Sequence, residues 1–364
     1  MSTANSLGKQ PLMAGKQGTK EHLGELDATL KEWTGYRDSI QDELKEIINR
    51  TPPSLRNILR YHMGWENEKG CARQGKPGKF IRSILHLLSC QAVGGDTAQV
   101  LPSAAAVEFV HNLSLIHDDI QDISHERRGR PTVWKLWGKS QAINIGDFMF
   151  ALASLALLKL QDNGVPSEEI VHSFHLLAEA CKELCEGQCL DIEFENRVDI
   201  TVEDYLNMIR KKTAALIAAS TSMGAYLGKG REKVQYFHQF GEALGMAYQI
   251  RDDILGIWGM KESTGKSIEE DLRQRKKTLP VVYALRESKD KAKLERLYLQ
   301  RHIEDRDVPI VVGILDQSGA RDHAQNLVQQ CCRRALEQLE ASGIERNRQA
   351  PLKQITHFLA ERNY

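Results

Sequence analysis

The chain of 364 residues has no net charge, with Lys+Arg and Asp+Glu at 49 each. That balance gives no sequence-wide reason to expect nucleic acid or an anionic membrane, so any anion-binding property has to be local. No stretch approaches the roughly 18 consecutive apolar residues of a membrane span. Roughly the first 20 residues are polar and rich in Gly and Lys, without the apolar segment of a signal peptide. The first arginine is Arg37, which argues against an Arg-rich transit peptide. Residues 1–20 read as a disordered tail ahead of a single domain over 21–364. The seven cysteines are an odd number with no secretory signal before them, so they are expected as reduced thiols in a cytoplasmic protein rather than as a disulfide framework. Cys181, Cys185 and Cys189 recur every four residues, but that spacing fits none of the common zinc patterns and no histidine pair completes it. They are better read as small residues on a packed helix face. Proline occurs only 10 times, and no Pro/Ser-rich linker divides the chain.

What is present is helical periodicity over nearly the whole length. Hydrophobic residues at 41% and charged residues at 27% are normal for a globular protein. In "SEEIVHSFHLLAEACKELCEGQ" a 3.6-residue stripe runs through Ile170, Phe174, Leu177, Ala178, Cys181 and Cys185. Thr201 and Asp204 form a capping-box pattern ahead of a long helix through "YLNMIRKKTAALIAASTSMGAYLG". The run most like a strand, "DVPIVVGILDQSG", has Asp307 as a cap and Pro309 in its first turn, which favours a helix. Alternating strand patterns joined by hairpin turns are missing, and no fixed-period repeat stands out. The expected fold class is all-α, one large helical domain.

Charge becomes informative locally. "LIHDDIQDISHERRGRP" puts Asp118, Asp119 and Asp122 at the end of a helical run, and Arg127 and Arg128 follow too late to neutralise them on the same turn. At about 100° per residue, His111, Asp118 and Asp122 fall within roughly 20° of one line, with Asp119 at the edge of that face. Such a face suits a hard divalent cation that also keeps waters and phosphate oxygens; a solvated acidic turn is the plainer reading. "AYQIRDDILGIWG" repeats the feature: Asp252 and Asp253 stand late in a largely apolar helix, with Gln249 one turn earlier. Adjacent carboxylates among apolar residues are costly unless paired or metal-bound. Two such helices facing each other, with Lys266, Lys276 and Lys277 following the second, describe a site for a diphosphate and its metal ions.

The stretches "VHNLSLIHDDIQDISHERRGRPTVW", "GQCLDIE", "MIRKKTAAL", "FGEALGMAYQIRDDILG" and "TGKSIEEDLRQRKKTLPVVYAL" resemble, in order, the five motifs of trans-isoprenyl diphosphate synthases, over most of the chain from about residue 70. The resemblance implies an all-α bundle around a deep apolar cavity, a homodimer, and head-to-tail condensation of an allylic diphosphate with isopentenyl diphosphate using three Mg2+ ions. Carried over by position, Asp118, Asp119 and Asp122 would hold two ions and Asp252 and Asp253 the third, with Asp271 assisting through water. Arg127, Lys212, Thr213, Gln249, Lys266 and Lys276 would contact the allylic diphosphate. Lys79, Arg82, His111 and Arg128 would hold isopentenyl diphosphate, and Gln188 and Asp191 would line the cavity below the metals. Asp118, Asp119, Asp122, Arg127, Lys212 and Asp252 would carry catalysis.

The pattern is departed from twice. Gly256 stands where the second motif usually ends in a third aspartate, and in "PGKFIRS" Phe80 and Ser83 replace an arginine and a proline. Leu113 and Ser114, one turn deeper than Asp118, leave room where farnesyl diphosphate synthases generally place an aromatic ring, so chains beyond C15, geranylgeranyl diphosphate above all, are expected. Phe148 or Phe150 from a neighbouring helix could close the floor instead. Two other readings are weighed. A terpene cyclase would have no use for Lys79, Arg82, His111 and Arg128, and a non-catalytic partner subunit would normally have lost the first aspartates.

Overall fold

The computed structural model describes residues 33–73, 78–259, 270–300 and 302–361; the expected tail over 1–20 and Lys266 lie outside them. Helices account for nearly all the regular structure. α1 covers residues 33–49, followed by α2 (Pro53–His62), α3 (Ile81–Ala92) and α4 (Leu101–Gln121). A two-residue hairpin, β1 (Glu126–Arg127) with β2 (Arg130–Pro131), leads into α5 (Val133–Trp137), α6 (Lys139–Leu158) and α7 (Ser167–Phe194). α8 (Val202–Ile209), α9 (Ala215–Leu227) and α10 (Val234–Trp258) complete the central bundle. Later helices, among them Leu279–Glu287, Val308–Gln317 and Ala320–Ala341, close one end.

The core sits where α4 packs on α6, α3 on α9, and α10 on both α9 and the helix Ala320–Ala341. Phe109, Leu85, Leu87, Leu88, Phe237 and Phe240 are fully enclosed there, each burial stabilising by roughly 1.5–3 kcal/mol relative to exposure. α9 is buried on every residue, which its Ala, Ser and Gly content allows because helices can approach it closely. By length and composition Lys139–Gln161 could cross a membrane, at mean hydropathy 1.6. In this fold its inner face, including Ile145, Met149 and Leu152, is packed into the core.

Thr201 and Asp204 form the capping box, with Asp204 N donating to Thr201 Oγ1 and Thr201 N to Asp204 Oδ2, both at 3.0 Å. The helix that follows is not the single one expected. Arg210–Ala214 form a π-turn between α8 and α9, which adds a residue to the turn that carries Lys212 and Thr213. Val308–Gln317 is helical, with Asp307 at its cap position but no bond from its side chain. α7 also departs from its expected single stripe. Ile170 and Leu177 are buried, whereas Phe174 and Cys185 are exposed. The helix is apolar on two sides, and only one of them meets the core. The cysteines follow the outer side: Cys181 is half-buried, Cys189 is exposed, and all seven are unpaired.

Candidate active site

The C-terminal ends of α4 and α10 meet at one cavity of about 370 Å³. Carboxylates at a helix C-terminus oppose the macrodipole, so three of them in the last turn of α4 are unfavourable without cations nearby. The cavity supplies those cations. Asp118, Asp122, Asp191, Asp252, Asp253 and Asp271 share its wall with Lys79, Arg127, Lys212, Lys276 and Lys277, and Leu115, Met208, Ile209 and Leu255 give it an apolar part.

Three ion pairs cross between elements. Arg127 swings back from the hairpin to Asp119, its Nε and Nη2 both 2.8 Å from Oδ1. Lys276 Nζ donates to Asp122 Oδ2 at 3.1 Å, and Lys212 Nζ to Asp191 Oδ2 at 2.5 Å. The arginine that the sequence places too late to neutralise the acidic turn therefore does so through the turn between α4 and β1, where Ser124 N bonds Asp119 O at 2.9 Å. Burial holds the Asp118 and Asp119 carboxyls above their usual range, against the pull of Lys212 on the first and Arg127 on the second. Burial also opposes the charges of Lys276 and Lys212, yet the surrounding aspartates raise both: Asp271, Asp122 and Asp191 for Lys276, Asp191 and Asp118 for Lys212.

The π-turn reaches the cavity because α7 yields at Gly187. A Cβ there would overlap the backbone of Lys212; with glycine, the turn lies against α7 and Lys212 meets Asp191 one turn on. Gln188 is buried and its Nε2 donates to Gln121 Oε1 at 2.8 Å, tying α7 to the end of α4. A second chain of bonds fixes α10: Thr213 Oγ1 donates to Gln249 Oε1 at 2.8 Å, and Gln249 Nε2 to Asp253 Oδ1 at 3.1 Å. Asp253 Oδ2 accepts from Leu279 N at 2.9 Å and from the Tyr205 hydroxyl. Burial nevertheless pushes the Asp253 carboxyl up to about 7. Its neighbour Asp252 lines the same cavity.

Arg82, His111 and Arg128 do not line this cavity but gather beside it, where Arg82 Nη1 lies 3.4 Å from His111 Nε2. Burial first, then the charges of Arg82 and Arg128, keep His111 neutral well below its usual range. The two departures in "PGKFIRS" have structural partners. Ser83 Oγ donates to Glu108 Oε2 at 2.7 Å, and Phe80 is buried at the start of α3 in a left-handed conformation, φ 50°. Gly256 has one as well: a Cβ there would stand 2.8 Å from Asp271 Oδ2, so Asp271 fills the space a side chain at 256 would need. Ser114 is half-buried with its hydroxyl turned back to His111 O at 2.8 Å, and Leu113 is packed against the core; neither lines the cavity, whereas Leu115 does. Phe148 is partly buried against the core and Phe150 is exposed.

Sequence reasoning missed Tyr205 and Glu108, which hold site residues from elements far along the chain. Their only local signal is a polar group in an otherwise apolar helical face.

Among the described residues no three His, Cys, Asp or Glu side chains converge closely enough to cage a metal alone. Carboxylate oxygens from two helices on one wall, with cations interleaved, fit instead a hard divalent cation that takes most of its ligands from phosphate and water.

The sequence model of the Polyprenyl synthetase family matches residues 71–315. The chain is 35% identical over 329 residues to a (2E,6E)-farnesyl diphosphate synthase of Mycobacterium tuberculosis, covering 89% of this chain and 90% of that protein. It is 40% identical over 258 residues to a geranylgeranyl diphosphate synthase of the same organism, covering 69% and 73%. The crystal structure of a polyprenyl synthetase from Streptomyces coelicolor superposes with a TM-score of 0.84 at 33% identity, covering 90% of this chain and 98% of the other. The chain belongs to the polyprenyl synthetase family and is a trans-prenyltransferase of the isoprenyl diphosphate synthase type.

Proposed function

We propose that this short-chain isoprenyl diphosphate synthase joins isopentenyl diphosphate to an allylic diphosphate and carries the chain past C15, with geranylgeranyl diphosphate as its main product. The observation that carries the product length is the turn below Asp118. Ser114 and Leu113 stand there behind the cavity wall without an aromatic ring, and Leu115, which does line the cavity, is not aromatic either, so this turn puts no ring in the path of a growing apolar chain. Phe150 is 44% exposed and is poorly placed to close the floor from inside. A C15 product is the second reading, favoured by the longer match to a farnesyl diphosphate synthase.

Asp118, Asp122 and Asp252 line the cavity and would hold magnesium there, with three ions as the full set; Asp119 joins them once Arg127 turns from it. Bound magnesium would neutralise charge developing on the leaving diphosphate. Arg127, Lys212 and Lys276, with Thr213 and Gln249, bind the allylic diphosphate; Lys266 belongs to the same expected set. Asp253, expected beside Asp252 at the third ion, also lines the cavity and is bonded here to Gln249, Tyr205 and Leu279 N, so it would reach a metal by releasing one of those partners. Lys79, Arg82, His111 and Arg128 hold isopentenyl diphosphate, which supports a two-substrate condensation over cyclisation. Leu115, Met208, Ile209 and Leu255 exclude water from the allylic cation, and the departing diphosphate takes the last proton. A second copy of the chain is the expected partner. Ile143, Phe150, Leu155 and Leu158 on α6, with Val171 and Phe174 on α7, expose apolar surface on two helices that touch.

Chromatography of dephosphorylated products tests the length. The parent should give mainly C20, and Ser114→Phe, which adds a ring of roughly 150–200 Å², should shift it to C15. A parent that stops at C15, or an unchanged product in the variant, would overturn the assignment.

A further inference from the structure

Two lysines stand side by side after the second acidic helix, and the reading above gives a role to Lys276 alone. Lys277 lines the same cavity but is 4% exposed, a burial that an ammonium does not tolerate without partners. Its Nζ donates to Glu195 O at 2.9 Å, with Arg275 O at 3.5 Å. The ammonium also lies 5.1 Å from the centre of the Tyr298 ring.

Glu195 is the C-cap of α7. The last carbonyls of a helix have no intrahelical amide to accept from, and they form the negative end of its dipole. A lysine laid across that end satisfies one carbonyl and puts a positive charge where the helix favours it. The contact is kept against a cost: burial first, then Arg275, bring the Lys277 ammonium down to about 8, with Glu195 opposing the fall.

The anchor matters because of its neighbour. Lys276 Nζ crosses to Asp122 beyond the end of α4, so the two lysines tie one short stretch to two helices of the cavity. Other bonds of the stretch lead elsewhere. Arg275 N and Lys276 N return to Leu272 O and Asp271 O in the short helix Glu270–Arg273. Arg275 Nη1 donates to Tyr298 O at 3.2 Å, and Leu279 N reaches Asp253 on α10. Lys277 supplies a tie to α7. That helix carries Asp191 one turn before Glu195, and Asp191 is among the carboxylates that raise Lys276. The turn also needs holding. Arg275 has a left-handed backbone, φ 58°, which a residue with a side chain adopts at a cost.

We propose that Lys277 is a positioning residue for Lys276: by capping α7 it fixes where the Lys276 ammonium stands in the cavity, and so how well the allylic diphosphate is held. This rests on the assignment of Lys276 to that diphosphate under the proposed function.

Calorimetry on the full chain, with inorganic pyrophosphate and magnesium, tests it in two backgrounds. Lys277→Met should weaken pyrophosphate by roughly 3–10-fold, part of the roughly 10–100-fold expected when a hydrogen bond to a charged group is lost outright. In a chain that already carries Lys276→Met the same change should have no further effect, because the residue it positions is gone. The kinetic counterpart is a raised KM for the allylic substrate, with that for isopentenyl diphosphate within about twofold of the parent. Lys277→Gln keeps a donor for Glu195 O without the charge. It should lose less than Lys277→Met, and it serves in the same two backgrounds if the methionine variant does not fold. Parent-like affinity in Lys277→Met would overturn the proposal. So would an equal weakening in both backgrounds, the mark of a packing role or of Lys277 acting on the diphosphate by its own charge. If Lys276→Met binds pyrophosphate as the parent does, the assignment of Lys276 fails and the proposal with it. A loss in Lys276→Met with none in Lys277→Met removes only the role of Lys277.

Discussion

Lys276→Met should tighten the binding of magnesium when no diphosphate is present. The reason lies in the three cavity ion pairs, in which each cation proposed to bind the allylic diphosphate now holds an aspartate. For a metal ion to reach Asp122, the Lys276 ammonium has to leave Asp122 Oδ2, 3.1 Å away. The side chains are 36% and 15% exposed, so the pair is taken at the upper end of a surface bridge, worth about 0.2–1 kcal/mol, since desolvation offsets much of the extra attraction gained by burial. Taking about 1 kcal/mol, and 1.4 kcal/mol per tenfold, removing the lysine should improve the dissociation constant for magnesium alone by about fivefold. Inorganic pyrophosphate, in contrast, should bind the variant more weakly, because the cation it would have recruited is gone. Calorimetry with each ligand separately measures both. If Lys276→Met binds magnesium no better than the parent, Lys276 is not competing with the metal for Asp122 and the exchange argument fails. The same reasoning makes metal and diphosphate mutually reinforcing ligands: each releases the partner that the other needs, and the coupling has to be reciprocal.

Gly256→Asp restores the residue common in related motifs but should lower activity here and raise the magnesium concentration needed for half-maximal rate, since its Cβ would come within 2.8 Å of Asp271 Oδ2 and its carboxylate would repel that group; a variant faster than the parent would refute this. Lys277 is buried, donates to Glu195 O at 2.9 Å, and has its pKa lowered to about 8, by burial first and then by Arg275. The unfolded chain therefore holds a proton that the folded one has lost between about pH 8 and 10.4, so this group makes stability rise with pH in that window. Denaturant melts of Lys277→Met should lack that rise, and parallel profiles for the two proteins would exclude the cause.

The charge placement was the legible part of the sequence. Carboxylates late in apolar helices carry an energetic cost that packing alone does not repay, so residue type and period mark Asp118, Asp122 and Asp252 as needing cationic partners, while a solvated turn stays open for the first cluster until the resemblance is added. The helical fold was readable for a similar reason: a 3.6-residue pattern and a capping box depend only on near neighbours. Features set by distant contacts were not readable. Arg127 reaches Asp119 because the chain turns back directly after α4, with Ile123 at φ 54° and Ser124 N bonded to Asp119 O at 2.9 Å. The π-turn at Arg210–Ala214 lies against α7 at Gly187, and Asp271 fills the space left by Gly256. In each of these cases the decisive partner is far along the chain or depends on a turn that periodicity does not reveal.

The acidic turn could have been a solvated loop or a site for a cation and an anion that arrive together. A solvated loop would leave its aspartates in water; here Asp119 is 3% exposed and bonded to Arg127. Nor is the cluster a finished metal cage, since no three ligands converge among the described residues. Asp119 and Asp122 are instead matched to cations, Arg127 and Lys276, that can change partners. Lys212 and Asp191 repeat the pairing across the cavity. A cavity balanced in this way stays folded without its ligands and yields most readily when both charges are supplied at once, which is what a magnesium diphosphate does.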